Sequence, residues 1–98
     1  VTDYAPAPGA AILDEFVNKP VVIDFRDEYV CLGTLVRVED HYFELRNADL
    51  HDLRDTDTTR ENYVASSVAT GVKRNRKRVV VFRAEVVAIS LLTDVADD

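Results

Sequence analysis

A glycine inside an unusually long extended run restricts this chain more than any other feature. Tyr29 to Glu39 reads as one strand of eleven residues, with Gly33 in its interior. Most strands are shorter, and a residue with no side chain to pack marks a sharp bend or bulge. A strongly bent strand lets a small antiparallel sheet curl back on itself. The flanks supply the other strands. Val21 to Phe25 alternates ahead of the polar turn Arg26-Asp27-Glu28, and His41 to Asn47 follows. In that third strand Phe43 and Leu45 share one face, with Tyr42, Glu44 and Arg46 on the other. Lys77 to Arg83 and Glu85 to Leu92 give a fourth and fifth strand, joined by a tight corner at Arg83-Ala84-Glu85.

The helical signals are fewer. Val1 to Gly9, with Pro6 and Pro8, reads as a loose arm. In the stretch 10–19, Ile12, Leu13, Phe16 and Val17 share a helical face, and Pro20 stops the helix. About thirty residues separate the third and fourth strands, too many for a hairpin loop. Within this insertion, 51–76, a helix is expected from Thr59 to Thr70. Thr58 would cap it, Glu61 would complete a capping box, and Gly71 would follow its end. The acidic tail, 94–98, is expected to fray. The expectation is a single domain over 1–98, large enough for one core. It is mainly β: a strongly bent five-stranded antiparallel small barrel with an N-terminal α-helix and a helical insertion between strands three and four. A monomeric SH3-like barrel is the competing architecture.

Charge and cysteine content narrow the function classes. The net charge of -6 excludes a protein that coats nucleic acid through its overall charge. A local patch is still available in Lys73-Arg74-Asn75-Arg76-Lys77-Arg78, where five of six residues are basic. That run is open to three readings: phosphate contact, a solvated strand edge that discourages aggregation, or pairing with the acidic run 49–57 of a neighbouring subunit. The acidic run lacks the glycine and closing glutamate of a calcium loop, so no metal and no other cofactor are expected. The single Cys31 lies in an apolar strand and has no partner in its own chain, which points to a small core hydrophobe in a reducing compartment. No apolar run approaches the ~20 residues of a membrane helix. A cytoplasmic protein with no membrane contact is the expectation. His41 and His51 are the only histidines, and no nucleophile elbow or phosphate-cradling loop is present. An enzyme is not expected.

Two stretches carry a resemblance. One is Gly33-Thr34-Leu35-Val36-Arg37-Val38-Glu39-Asp40-His41-Tyr42-Phe43-Glu44-Leu45, and the other is Val81-Phe82-Arg83-Ala84-Glu85-Val86-Val87-Ala88-Ile89-Ser90. Together they resemble the two motifs of Sm and Sm-like (LSm) proteins, small barrels that assemble into RNA-binding rings. Gly33, Leu35, Asp40 and Arg83 fall in place, as do the apolar positions. Glu44 stands where the family has Asn, and Ala84 where it has Gly. The likeness spans Ile12 to Thr93 without the insertion. It implies a homo-oligomeric ring of five to seven subunits, with single-stranded RNA as a partner. Tyr42 would stack on a base, Arg83 would support it beside the pore, and Lys73, Arg74, Arg76 and Arg78 would hold phosphates. Glu44 cannot replace the Asn, because an ionised carboxylate only accepts hydrogen bonds. A salt bridge from Glu44 to Arg83 is the structural role expected of that pair. The alternative is an oligomeric scaffold that has lost RNA binding, with the inserted helix as a surface for a protein partner.

Overall fold

A computed structural model describes residues 12–96. The expected arm, 1–9, lies outside the described residues. Five antiparallel strands form one sheet: β1 (Pro20–Phe25), β2 (Tyr29–Val38), β3 (Tyr42–Asp52), β4 (Arg76–Phe82) and β5 (Val86–Leu91). Their order is β4-β3-β2-β1-β5, so two strands adjacent in sequence sit at opposite edges. A 3-10 turn, Arg83–Glu85, makes that corner.

The bend is built by two facing residues. Between the pairs Leu32↔Asp49 and Thr34↔Arg46, β3 spends one residue more than β2. The extra residue is accommodated at Asn47, whose φ of 51° lies in the left-handed region that asparagine tolerates. Gly33 serves the bend by close approach. A Cβ there would sit 2.9 Å from the Ala48 Cβ and 3.2 Å from the Arg46 carbonyl oxygen. The bulge explains why β3 runs to Asp52 and does not stop at Asn47 as expected. The connection to β4 is therefore 53–75, shorter at both ends than the expected insertion.

Inside the bend lies the larger apolar cluster, with Val21, Ile23, Phe25, Cys31, Leu35, Phe43, Leu45, Ala48 and Val81 buried. Leu13, Phe16 and Val17 pack against it. Leu13 and Phe16 belong to a single 3-10 turn, Leu13–Phe16, and Val17 follows it in extended backbone, where an α-helix over 10–19 was expected. The Val17 amide donates to the Asp14 carbonyl, three residues back, and the Asn18 amide donates to Leu35 O of β2 at 2.6 Å. Capture by β2 ends the helix before a second turn forms.

The sheet's outer face carries a second cluster, where sequence length suggested one core. Helix α1 (Arg60–Thr70) lies over β1 and β2, with Val22, Val30, Leu32 and Val64 buried between them. Thr59, not Thr58, caps α1: its hydroxyl accepts from the Asn62 amide at 3.1 Å. Gly71 closes the helix at φ 93°, as its position suggested. Val95 also packs on this cluster, so the chain stays attached past the expected start of fraying at 94.

A polar clamp fixes α1 in place. Asp49, only 6% exposed, accepts hydrogen bonds from the Tyr63 hydroxyl and from Asn75 Nδ2. Asn75 also hooks the β3 backbone, accepting from Leu50 N and donating to Leu50 O, both at 3.1 Å. The His51 ring stacks on Tyr63 at 4.1 Å.

Candidate nucleic-acid interface

Alternation along β4 decides which side chains reach the surface. Val79 and Val81 turn into the barrel, so Val80 and Phe82 turn out. Cross-strand pairing sets Tyr42 opposite Phe82 and Glu44 opposite Val80. The Tyr42 and Phe82 rings lie 5.4 Å apart, and His41 meets Tyr42 edge-on at 6.4 Å. Tyr42 is 40% and Phe82 61% exposed, which leaves aromatic faces open at this end of the sheet.

Arg83 stands next to this cluster. Its amide donates to His41 O at 2.9 Å, which ties the second motif to the first. Its guanidinium lies 5.2 Å from the Phe43 ring centroid, and Nη1 donates to Glu39 O at 2.6 Å. Packing against Phe43 and the Glu39 carbonyl positions the charge beside the aromatic end.

Glu44 has other arginines. Arg78 Nε donates to it at 2.7 Å, and Arg37 Nε lies 3.4 Å away. The Arg78 hydrogen bond comes first among the causes holding the Glu44 carboxyl below its ordinary range. The same bond pushes the Arg78 guanidinium up. Arg37 also lies 3.9 Å from Glu39, so two guanidiniums and two carboxylates meet beside Tyr42 and their charges balance. Sequence reasoning singled out neither Arg37 nor Phe82. The signals were present: Phe82 continues the outward alternation of Val80, and Arg37 pairs with Glu44 across β2 and β3.

The predicted phosphate contacts are dispersed. Arg78 belongs with Glu44, near Tyr42. Lys73 and Arg74 precede β4 at its far end, where Arg74 Nη1 donates to Asn47 Oδ1 at 3.1 Å. Arg76 opens the strand there, opposite Ala48. At ~3.3 Å per residue, Arg76 and Phe82 stand roughly 20 Å apart. The basic run and the aromatic end are two patches, with Arg78 between them.

Two other candidates resolve into packing. Cys31 is fully buried, and burial pushes its thiol up to about 12. In the acidic run, Asp49 belongs to the clamp, and Asp52 accepts from Arg54 Nε and Nη2 at 2.9 and 2.8 Å. Among the described residues, no three His, Cys, Asp or Glu side chains gather as a metal site, and no helix is long and apolar enough to cross a membrane.

No family model and no curated protein matches the sequence. Solved structures do match. The fold is similar to the Pyrococcus abyssii Sm protein in complex with a uridine heptamer, at 18% identity and a TM-score of 0.58, over 88% of this chain and 99% of that one. It is similar to the P. aerophilum SmAP1 heptamer at 23% identity and a TM-score of 0.60, over 89% and 96%. A chain of the NatC complex bound to CoA matches at 15% identity and a TM-score of 0.52, over 92% and 88%.

Proposed function

This chain has the Sm-like fold, and we propose that it is a non-catalytic ring-forming protein that binds single-stranded RNA by stacking and charge. The observation that carries assembly is the pair of open edges, β4 and β5, at opposite ends of one sheet. An edge strand presents unpaired main-chain donors and acceptors. Pairing the β4 edge of one copy with the β5 edge of the next, head to tail, closes as a ring or runs on as a fibre. The ring has five to seven copies, the heptamer of the P. aerophilum relative lying within that range. A cytoplasmic setting fits the free thiol of Cys31.

The aromatic end supports the RNA reading. Stacking tolerates any base, so Tyr42 grips a base by its face, while Glu44 lacks the donor needed to read its edge. Arg83, Arg78 and Arg37 stand beside that position, the last two shared with Glu44 and Glu39, and Lys73, Arg74 and Arg76 offer a separate stop for the backbone. The test is a salt titration of short single-stranded RNA. Affinity should fall linearly with log[salt], and replacing Arg74, Arg76 and Arg78 by Ala should flatten the slope. Tyr42→Ala should cost about 1–3 kcal/mol of binding while the ring persists.

A specific observation favours a second reading, a protein-binding scaffold without RNA. Arg78 and Arg37 are engaged by Glu44, so a phosphate must compete with a carboxylate for them. Here α1, spread over the outer face, becomes the partner surface. Failure of uridine- or adenine-rich oligonucleotides to bind at about 50 mM salt, where phosphate contacts are strong, selects this reading.

A further inference from the structure

The two open edges differ in what they present on the sheet's outer face. β4 shows large apolar side chains, Val80 and Phe82, 41% and 61% exposed. β5 shows small ones: Ala88 pairs with Asp24 of β1, and Ser90 with Val22. Both β1 residues face α1, Val22 in the outer cluster with Val64 and Asp24 through an ion pair to Arg60 at 3.6 Å. Between α1 and β5 runs an open groove of about 500 Å³. Glu61 and Val64 line it from the helix, Val22, Ala88 and Ser90 from the sheet, and Val87, 68% exposed, joins them.

We propose that this groove receives Val80 and Phe82 of the next copy's β4, which makes α1 part of the subunit interface. The inference rests on the ring reading above and adds the helix to it. Three observations carry it. The groove's sheet wall is the open β5 edge itself, so a strand added there lies alongside α1. Face matching then selects the side chains. A register that keeps Val79 and Val81 on the same face as Ile89 and Leu91 puts Val80 and Phe82 on the face of Ala88 and Ser90, and a slip of one residue would bury the wrong set. Size and charge agree as well. Large side chains meet small ones, and antiparallel addition sets the basic start of β4 (Arg76, Lys77, Arg78) at the end of β5 that Asp94 follows. Copies that each carry a net charge of -6 need such local attraction to approach.

Cross-linking between differently marked copies tests this. Three single variants are made, Phe82→Cys, Glu61→Cys and Ala88→Cys, and mixed in pairs with a short bis-maleimide. Cys31 does not interfere, because its thiol is buried and stays protonated. The Phe82→Cys plus Glu61→Cys mixture should give covalent dimers well above the yield of either variant alone. Phe82→Ala should weaken self-association about tenfold or more by light scattering, as expected of a buried aromatic anchor. Cross-links with Ala88→Cys but none with Glu61→Cys would overturn the role of α1 and leave the ring intact. No cross-link in either mixture, at concentrations where light scattering shows the Phe82→Cys variant still associated, would place the interface elsewhere. A wild type that remains an 11.0 kDa monomer at all accessible concentrations would remove the ring reading and this inference together.

Discussion

β1 and β4 begin as similar sequences and meet opposite fates. Val21-Val22-Ile23 and Val79-Val80-Val81-Phe82 are both unbroken apolar runs, a pattern expected of strands buried on two faces. For β1 that holds: Val21 and Ile23 fill the barrel, and Val22 is buried beneath α1. For β4 only the inner half is covered, and Val80 and Phe82 face outward on an edge. An apolar run therefore records two covered faces, without saying whether the second cover belongs to the same chain. In β1 it does. In β4 the ring reading assigns it to a neighbour. Truncation should separate the two cases. Ile23→Ala and Leu32→Ala remove fully buried side chains and should each cost about 2–5 kcal/mol in urea unfolding at any protein concentration. Val80→Ala should move monomer unfolding by no more than about 0.5 kcal/mol, with its effect emerging only as concentration rises. Equal, concentration-independent losses at both positions would erase the distinction.

The bend tests the central strands at a second point. A methyl group at position 33 has no room, since Ala48 and the Arg46 carbonyl close over it. Gly33→Ala should destabilise by about 1–3 kcal/mol, the range for overpacking a tight contact. Gly71→Ala is the contrast. Nothing lies near its Cβ position, so its cost comes from φ 93° alone.

Gly33 also shows how far the sequence could be read. Its place inside a long alternating run identified the bent second strand, and with it the class of fold. The bulge itself sits across the ladder, at Asn47, and asparagine in left-handed backbone looks in sequence like the end of a strand. Cap choice failed for a similar reason. Thr58 and Thr59 both suit an N-cap, and the Glu61 spacing favoured the wrong one, while the observed bond goes from Asn62 to Thr59. The docking of α1 was not legible. Its buried stripe is only Val64 and Ser67, and its anchor, Asp49, lies in a run that reads as solvated acid. At the candidate site, Tyr42 and Arg83 were found from their motifs, and both stand at the aromatic end. Arg37 and Phe82 were missed because register, not spacing, brings them to Glu44 and Tyr42. The basic run was seen as one patch because six consecutive residues look close, although a strand stretches them apart.

The smallest effect contrasts two carboxylates on β3, one under α1 and one beside the open edge. Burial raises the Asp49 carboxyl above its ordinary range, against the opposing charges of His51 and Lys73. The Arg78 hydrogen bond, with the Arg78 and Arg37 charges, lowers that of Glu44. Linkage then gives opposite signs. A raised carboxyl binds more protons folded than unfolded, so its contribution is complete below its unfolded pKa and is lost as pH climbs through the folded one. A lowered carboxyl contributes above its unfolded pKa, and that contribution is lost as pH falls through the folded one. Urea unfolding from about pH 3 to pH 7, compared with the wild type, reads these signs through Asp49→Asn and Glu44→Gln. Asp49→Asn carries a constant offset, because the amide cannot accept from both Tyr63 and Asn75 as the carboxylate does. Its stability relative to wild type should nevertheless improve as pH rises. Glu44→Gln should lose ground over the same interval, by less, because solvent screens an exposed ion pair. Slopes of the same sign would mean that α1 does not seclude Asp49 from water, and the contrast between the covered strands and the open edge would fail at its most sensitive point.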